Sequence, residues 1–499
     1  MVRGQTIIVF YQQVVDSFFT TGDSWVSRWV GRIWITALFL IGLANFSIFF
    51  NFGELPLDIA DWSDITAPRL YTLMDAVKHG HIPLHIADPN GVKGVTDQFL
   101  TVPDIILSPQ ILLLRFLLPG DFLWINLLLL YTAGFLGLLL FRERMKIGLG
   151  VFSILFLLFN FNGHIIAHLA IGHATWMAYF LTPYFILLIG DLFENRVHPS
   201  WMLKIVVLQM IIFLQGGFHF FVWQLFFMLF IGVFNPEVRK TVFLASLASI
   251  LGCMFRILPA GLVFTEMKLS FLGGFTTFND LIRGVVVLVE PKDIFELFST
   301  LTPYIGWWEF DYYLGWAGVI FILSVLFLAW RTGVYRYSPF YKLIYPSLIM
   351  FAFSIGRLYK PIFILQLPLI SAERVASRFL ILPFLFVIFA ACTYAQKLID
   401  HYTLTKLVKV SVVILFLILL SDLQQHLELW SPVQLGKLIK PVPQNPLDYQ
   451  LSYRSDPLYF SILAAGTFIS VLTLVGLAWY SKRPFLPRQA SADTLSETG

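Results

Sequence analysis

Charge is what this sequence has least of. Asp, Glu, Lys and Arg together make up 13% of its 499 residues, against roughly 25% in soluble globular chains. Apolar residues make up 58%, with a mean hydropathy of +0.77. A soluble domain cannot hide that much apolar surface, so the scarcity of charge excludes one. Cysteine is almost absent, and Cys253 and Cys392 both fall inside apolar runs, which argues against a disulfide framework or a thiolate metal site. No cluster of Lys and Arg interleaved with aromatics points to nucleic acid. The apolar runs lack the strict alternation of outer-membrane strands, which excludes a barrel. Also missing are a glycine-rich phosphate loop, a nucleophile elbow, a zinc-protease helix and the internal repeat typical of transporters. The first long apolar run follows a 32-residue lead with no small-residue cleavage site, so it reads as a first span rather than a signal peptide.

Present instead are apolar runs near the ~20 residues that cross ~30 Å of hydrocarbon as a helix. Twelve are expected: Ile33 to Phe50, Phe122 to Phe141, Ile147 to Ile166, Ala174 to Phe193, Trp201 to Leu214 and Phe218 to Phe234, then Thr241 to Leu262, Leu314 to Trp330, Leu343 to Ile355, Phe379 to Tyr394, Val410 to Leu420 and Leu458 to Tyr480. The fold class is an all-α integral membrane protein of about twelve transmembrane helices, within about 10 to 13. Residues 1–32 form a cytoplasmic lead, 33–480 the polytopic domain and 481–499 a disordered cytoplasmic tail. Arg142, Arg144, Lys146, Arg239, Lys240, Arg331, Arg336 and Lys342 fall in alternate short loops. Such loops are cytoplasmic, so both termini are expected inside and the long loops (51–120, 263–313, 356–378 and 421–457) outside, across a bacterial inner membrane. Loop one, 51–120, should carry an amphipathic surface helix from Ala67 to His79, stopped by Gly80. A turn is expected at Asp88 to Gly94, a return to the membrane at Pro103 to Leu118, a re-entrant stretch at Pro361 to Ile370 and a surface helix at Thr6 to Val15.

Chemistry-bearing residues gather near the outer ends of the spans. Asp58, Asp61 and Asp64 precede the loop-one helix, where its dipole favours an ionised carboxylate able to accept a proton; the bland alternative is capping, with Ser63 and Thr66 as further caps. Arg256 lies inside a span, where an ionisable side chain has a function or a partner. Glu373, Arg374 and Arg378 precede another span, and the two guanidiniums could clamp a phosphate or simply anchor the interface. His164 and His168 share a helical face and His173 follows; spacing fixes no third metal ligand, and contact with a substrate head group competes with ordinary hydrogen bonding. Trp307, Trp308 and Glu309 combine a stacking surface with a polar handle, as an aromatic belt also would.

The order of these features resembles a known family. Asp64 to Pro83 (DITAPRLYTLMDAVKHGHIP) is similar to the first extracytoplasmic loop of YfhO-like bacterial membrane proteins of the GT-C glycosyltransferase superfamily. Gly91 to Pro109, Asn162 to Pro183, Tyr313 to Gly318 and Ser354 to Leu380 resemble later family segments in the same order. The resemblance implies a GT-C-like enzyme that moves a sugar, with inversion, from a polyprenyl-phosphate carrier to a glycan, lipid or protein acceptor outside the cytoplasm. It implies a loop-one acid as general base, matched best by Asp64 and next by Asp61. Arg256, Arg374 or Arg378 would hold the phosphate, with His164, His168, His173, Trp308 and Glu309 lining the substrate site. A divalent cation, Mg or Mn, could bridge the phosphate, though no residue pattern requires one. Two other readings compete: a transporter or flippase of lipid-linked saccharides, and a non-catalytic subunit of an envelope assembly.

Overall fold

A computed structural model describes residues 12–20, 24–87, 95–194, 198–264, 272–289, 306–365, 373–402, 405–442 and 449–482. The expected turn at 88–94, most of the lead helix, the tail and the second half of the 361–370 stretch lie outside them. Within lipid every backbone N–H and C=O must be satisfied inside the segment itself, and the apolar runs accordingly form helices. Helical segments cover each of the twelve expected runs, with breaks at Phe161–Asn162 and at Cys253. Among the described residues, eight helices are long and apolar enough to cross a membrane: Trp25–Phe49, Pro119–Met145, Leu149–Ile171, Ala174–Phe193, Gly315–Thr332, Ala376–His401, Lys406–Leu429 and Pro457–Ser481. A ninth crossing is available if the bent pair Arg239–Gly252 and Met254–Leu262, which turns by 66°, is one broken span. Ser200–Leu214, Phe218–Phe234 and Ile344–Ser354 are shorter. The count of twelve therefore depends on how much hydrocarbon these short helices face.

Burial orders the bundle. Leu149–Ile171 and Ala376–His401 are each 94% buried over their most apolar stretch, whereas Lys406–Leu429 and Pro457–Ser481 are 11% buried. The first two form the centre, and the last two present Leu417, Ile418, Phe468 and Leu472 outward as lipid-facing residues do. Glycine sets close approaches at the centre: a Cβ on Gly134 would lie 2.7 Å from the Phe180 carbonyl.

Loop one folds as a cap on one end of the bundle. Its helix runs Ala67–His79 and stops where Gly80 turns left-handed at φ 71°, as its sequence predicts. The start differs from expectation. Thr66 and Ser63 do not cap it, because the chain enters through a π-helical turn, Trp62–Thr66. The Thr66 hydroxyl donates instead to the Gly172 carbonyl at 2.5 Å, and the buried Trp62 indole donates to the Ala170 carbonyl at 2.9 Å. Those two bonds fasten loop one to the end of the Gly163–Ile171 helix. Gly172, at φ 110°, must be glycine, because a Cβ there would sit 2.3 Å from the Trp62 nitrogen. A two-stranded ribbon, His85–Ile86 against Leu451–Ser452, ties the same loop to the segment before the last helix.

Candidate functional site

The fastening of loop one brings its acids over the histidines of the central helix. Asp61 Oδ2 lies 2.5 Å from His173 Nε2, and His173 Nδ1 lies 2.6 Å from His168 Nδ1. The His164 and His168 rings, one helical turn apart, are 4.4 Å from centre to centre. Trp176 stacks on His168 at 4.3 Å and donates its indole N–H to His164 Nε2 at 3.2 Å. His168 Nε2 points toward Glu309 Oε2, 3.6 Å away. Glu309 in turn accepts both arms of the Arg378 guanidinium, Nε at 2.7 Å and Nη2 more closely still. Arg378 also lies over the Trp176 ring at 4.7 Å, and its Nη1 is 3.3 Å from His219 Nε2. His219 Nδ1 and the Trp223 indole close the chain on the two Glu373 oxygens, at 2.7 and 2.9 Å.

The result is one continuous run of carboxylate, imidazole and guanidinium groups: Asp61, His173, His168, Glu309, Arg378, His219, Glu373. Buried charges persist only when paired and hydrogen-bonded, and here each carboxylate is hydrogen-bonded to an imidazole or a guanidinium. The side chain of Asp61 is 28% exposed while those of His168 and Glu309 are 0% and 5% exposed. Asp61 is thus where the network meets solvent. Burial pushes its carboxyl up, but the hydrogen bond and charge of His173, with Arg378 and Arg69, outweigh burial and hold it below the usual carboxylate value. Asp104 behaves alike. Burial raises it, and the Arg69 guanidinium, 2.9 Å away, brings it below its ordinary value.

The remaining expected site residues separate. Asp64 is half-buried within the π-helical turn, where the Ser63 hydroxyl donates to it at 3.2 Å. Arg374 is exposed and lies in the field of Arg378, Glu309 and Asp61. Trp308 is half-buried, beside the buried Trp307 and Glu309. Arg256 stands apart. Its guanidinium donates to the carbonyls of Leu100 and Val102 at 3.2 and 2.5 Å, fastening the bent helix pair to loop one. Glu373 pairs with His219 rather than with Arg374 or Arg378. His219, Trp176 and Trp223 escape sequence reasoning, although a histidine inside the run from Phe218 to Phe234 is a signal of its own.

Beside this network an apolar groove of about 740 Å³ runs between the Gly315–Thr332, Ile344–Ser354 and Ile381–His401 helices. Its wall on the last of these extends from Leu380 to Tyr394, about 21 Å at 1.5 Å per residue. Leu323 and Leu348 on its rim are 61% and 54% exposed, so the groove opens sideways where lipid lies. Tyr312 separates it from the network: the ring stacks on His164 at 4.6 Å on one side and meets the groove residue Phe384 at 5.3 Å on the other.

No family model, curated protein or solved structure matches the chain.

Proposed function

We propose that this protein is a membrane glycosyltransferase of GT-C type, taking a sugar from a polyprenyl-phosphate donor on the face capped by loop one. By the Lys and Arg asymmetry that face is extracytoplasmic. One observation carries the reading: a lipid-open groove about 21 Å long ends one tyrosine ring from a buried acid–imidazole–guanidinium network whose exposed end is a carboxylate. A polyprenyl tail suits the groove, and the head group would then rest near the network.

In this mechanism Asp61 takes the proton of the acceptor hydroxyl, the hydroxyl oxygen forms a bond to the anomeric carbon from the opposite side, and the carbon–oxygen bond to the phosphate breaks. Polyprenyl phosphate leaves with the bonding pair, and the configuration inverts. The exposed guanidinium of Arg374 meets the phosphate charge, while Arg378 keeps Glu309 and the histidines in register. Asp61 takes the role of base ahead of Asp64, which the family motif matches better, because His173 orients its carboxylate at the point where the network meets solvent. The test is sugar transfer by the purified protein in nanodiscs from a panel of radiolabelled polyprenyl-phosphate sugars, with membrane glycans and lipids supplied as acceptors. Release of polyprenyl phosphate that depends on Asp61 supports the reading; no release from any donor opposes it.

A further inference from the structure

The Asp61–His173–His168 run ends with one ring nitrogen to spare. His173 Nε2 is engaged with Asp61 Oδ2 at 2.5 Å, and His173 Nδ1 with His168 Nδ1 at 2.6 Å. His168 Nε2 is fully buried and makes no hydrogen bond among the described residues. What it faces is Glu309 Oε2 at 3.6 Å, a carboxylate oxygen beyond hydrogen-bond reach. A buried imidazole nitrogen and a carboxylate oxygen facing each other across such a gap are a donor pair that a cation would bridge.

We infer that His168, Glu309 and His173 form a binding site for a divalent transition metal of the zinc class. Zinc binds imidazole nitrogen and carboxylate oxygen at about 2.0 to 2.2 Å, so donors 3.6 Å apart subtend roughly 120° at the ion, close to tetrahedral. Ligand atoms of His168, His173 and Glu309 all lie within 4.8 Å of one another, which puts His173 in reach as third ligand once its Nδ1 exchanges His168 for the metal. Asp61 would keep its hold on His173 Nε2–H, the carboxylate–histidine–metal arrangement that fixes ring orientation and raises ligand basicity. Three protein ligands leave a fourth position open for water or for a phosphate oxygen. Two imidazoles favour zinc, cobalt or nickel over magnesium, which prefers oxygen ligands. The Arg378 fork on Glu309 points the same way, because it already offsets the carboxylate charge on which a hard cation would depend.

This site stands independently of the glycosyltransferase reading, and its test needs no substrate. The full-length protein in detergent is stripped with a chelator and titrated with Co²⁺, following visible absorption and bound metal per chain. One equivalent of cobalt with the intense bands of a tetrahedral centre is expected. His168→Gln should weaken binding at least tenfold, and Asp61→Asn, which removes only the outer partner, about 10- to 100-fold. Absence of stoichiometric cobalt in the wild type overturns the site, as does a monodisperse His168→Gln protein that binds cobalt like wild type. If His168→Gln does not fold, Asp61→Asn decides alone, and unchanged affinity there counts against the site.

Discussion

Asp61 and His173 are 112 positions apart in the sequence and 2.5 Å apart in the structure. That contact joins a loop-one acid to the histidine-bearing end of the central helix. It makes loop one part of the site, because the acid and the imidazoles that orient it belong to different segments.

The first prediction concerns pH. The Asp61 carboxyl is held below its ordinary 3.8 in spite of burial, chiefly by His173. A depressed folded-state pKa gives stability that is fully present above the unfolded value and is lost as pH falls through the folded one. Hydrogen exchange in residues 61–72 should thus stay slow down to about pH 4 and rise below it. His173→Gln should shrink or abolish that rise, because a carboxyl no longer depressed has less stability to lose on acidification. An unchanged profile in that variant would mean the pair does not hold loop one.

The second concerns the buried pair of Glu309 and Arg378, whose side chains are 5% and 12% exposed. Removing one partner leaves an uncompensated charge, so Arg378→Met or Glu309→Leu alone should cost about 3 to 5 kcal/mol. The double variant should cost clearly less than the sum. Thermal unfolding in detergent measures the cycle, and simple additivity would show that the pair is not coupled.

The third concerns the groove. Ala390 lines it, and Ala390→Phe would fill part of its length. Displacing about two methylenes of a tail at about 0.8 kcal/mol each should raise the KM for a long-chain polyprenyl donor on the order of tenfold, with kcat little changed. An unaltered KM would place the tail elsewhere.

The fourth concerns Arg256. Because its guanidinium holds the Leu100 and Val102 carbonyls, Arg256→Met should destabilise the protein by about 1.5 to 3 kcal/mol, the scale of a charged hydrogen bond. It should leave the affinity for polyprenyl phosphate unchanged. Weaker binding with intact stability would return Arg256 to the phosphate.

The sequence carried the local features well. Apolar runs named the helices, and the Ala67–His79 helix with its Gly80 stop follows from period and turn chemistry. The i, i+4 pairing of His164 and His168 likewise needs no tertiary information. What was not legible depends on chain pairings remote in sequence. Glu309 finds Arg378 across 69 positions and His219 finds Glu373 across 154, and no spacing rule links segments so far apart. The same reason hid the job of Arg256. An arginine inside a span signals a partner, and only the fold reveals that loop-one backbone is one.

The most direct measurement compares Asp61→Asn with Asp64→Asn in sugar transfer from a polyprenyl-phosphate donor, with carrier binding followed in parallel. A general base contributes about 10²- to 10⁴-fold in rate, so Asp61→Asn should lose at least about a hundredfold in turnover while still binding the carrier, and Asp64→Asn should retain most of its activity. Near-normal transfer by Asp61→Asn would contradict the account, and loss confined to Asp64→Asn would move the base three residues along the loop.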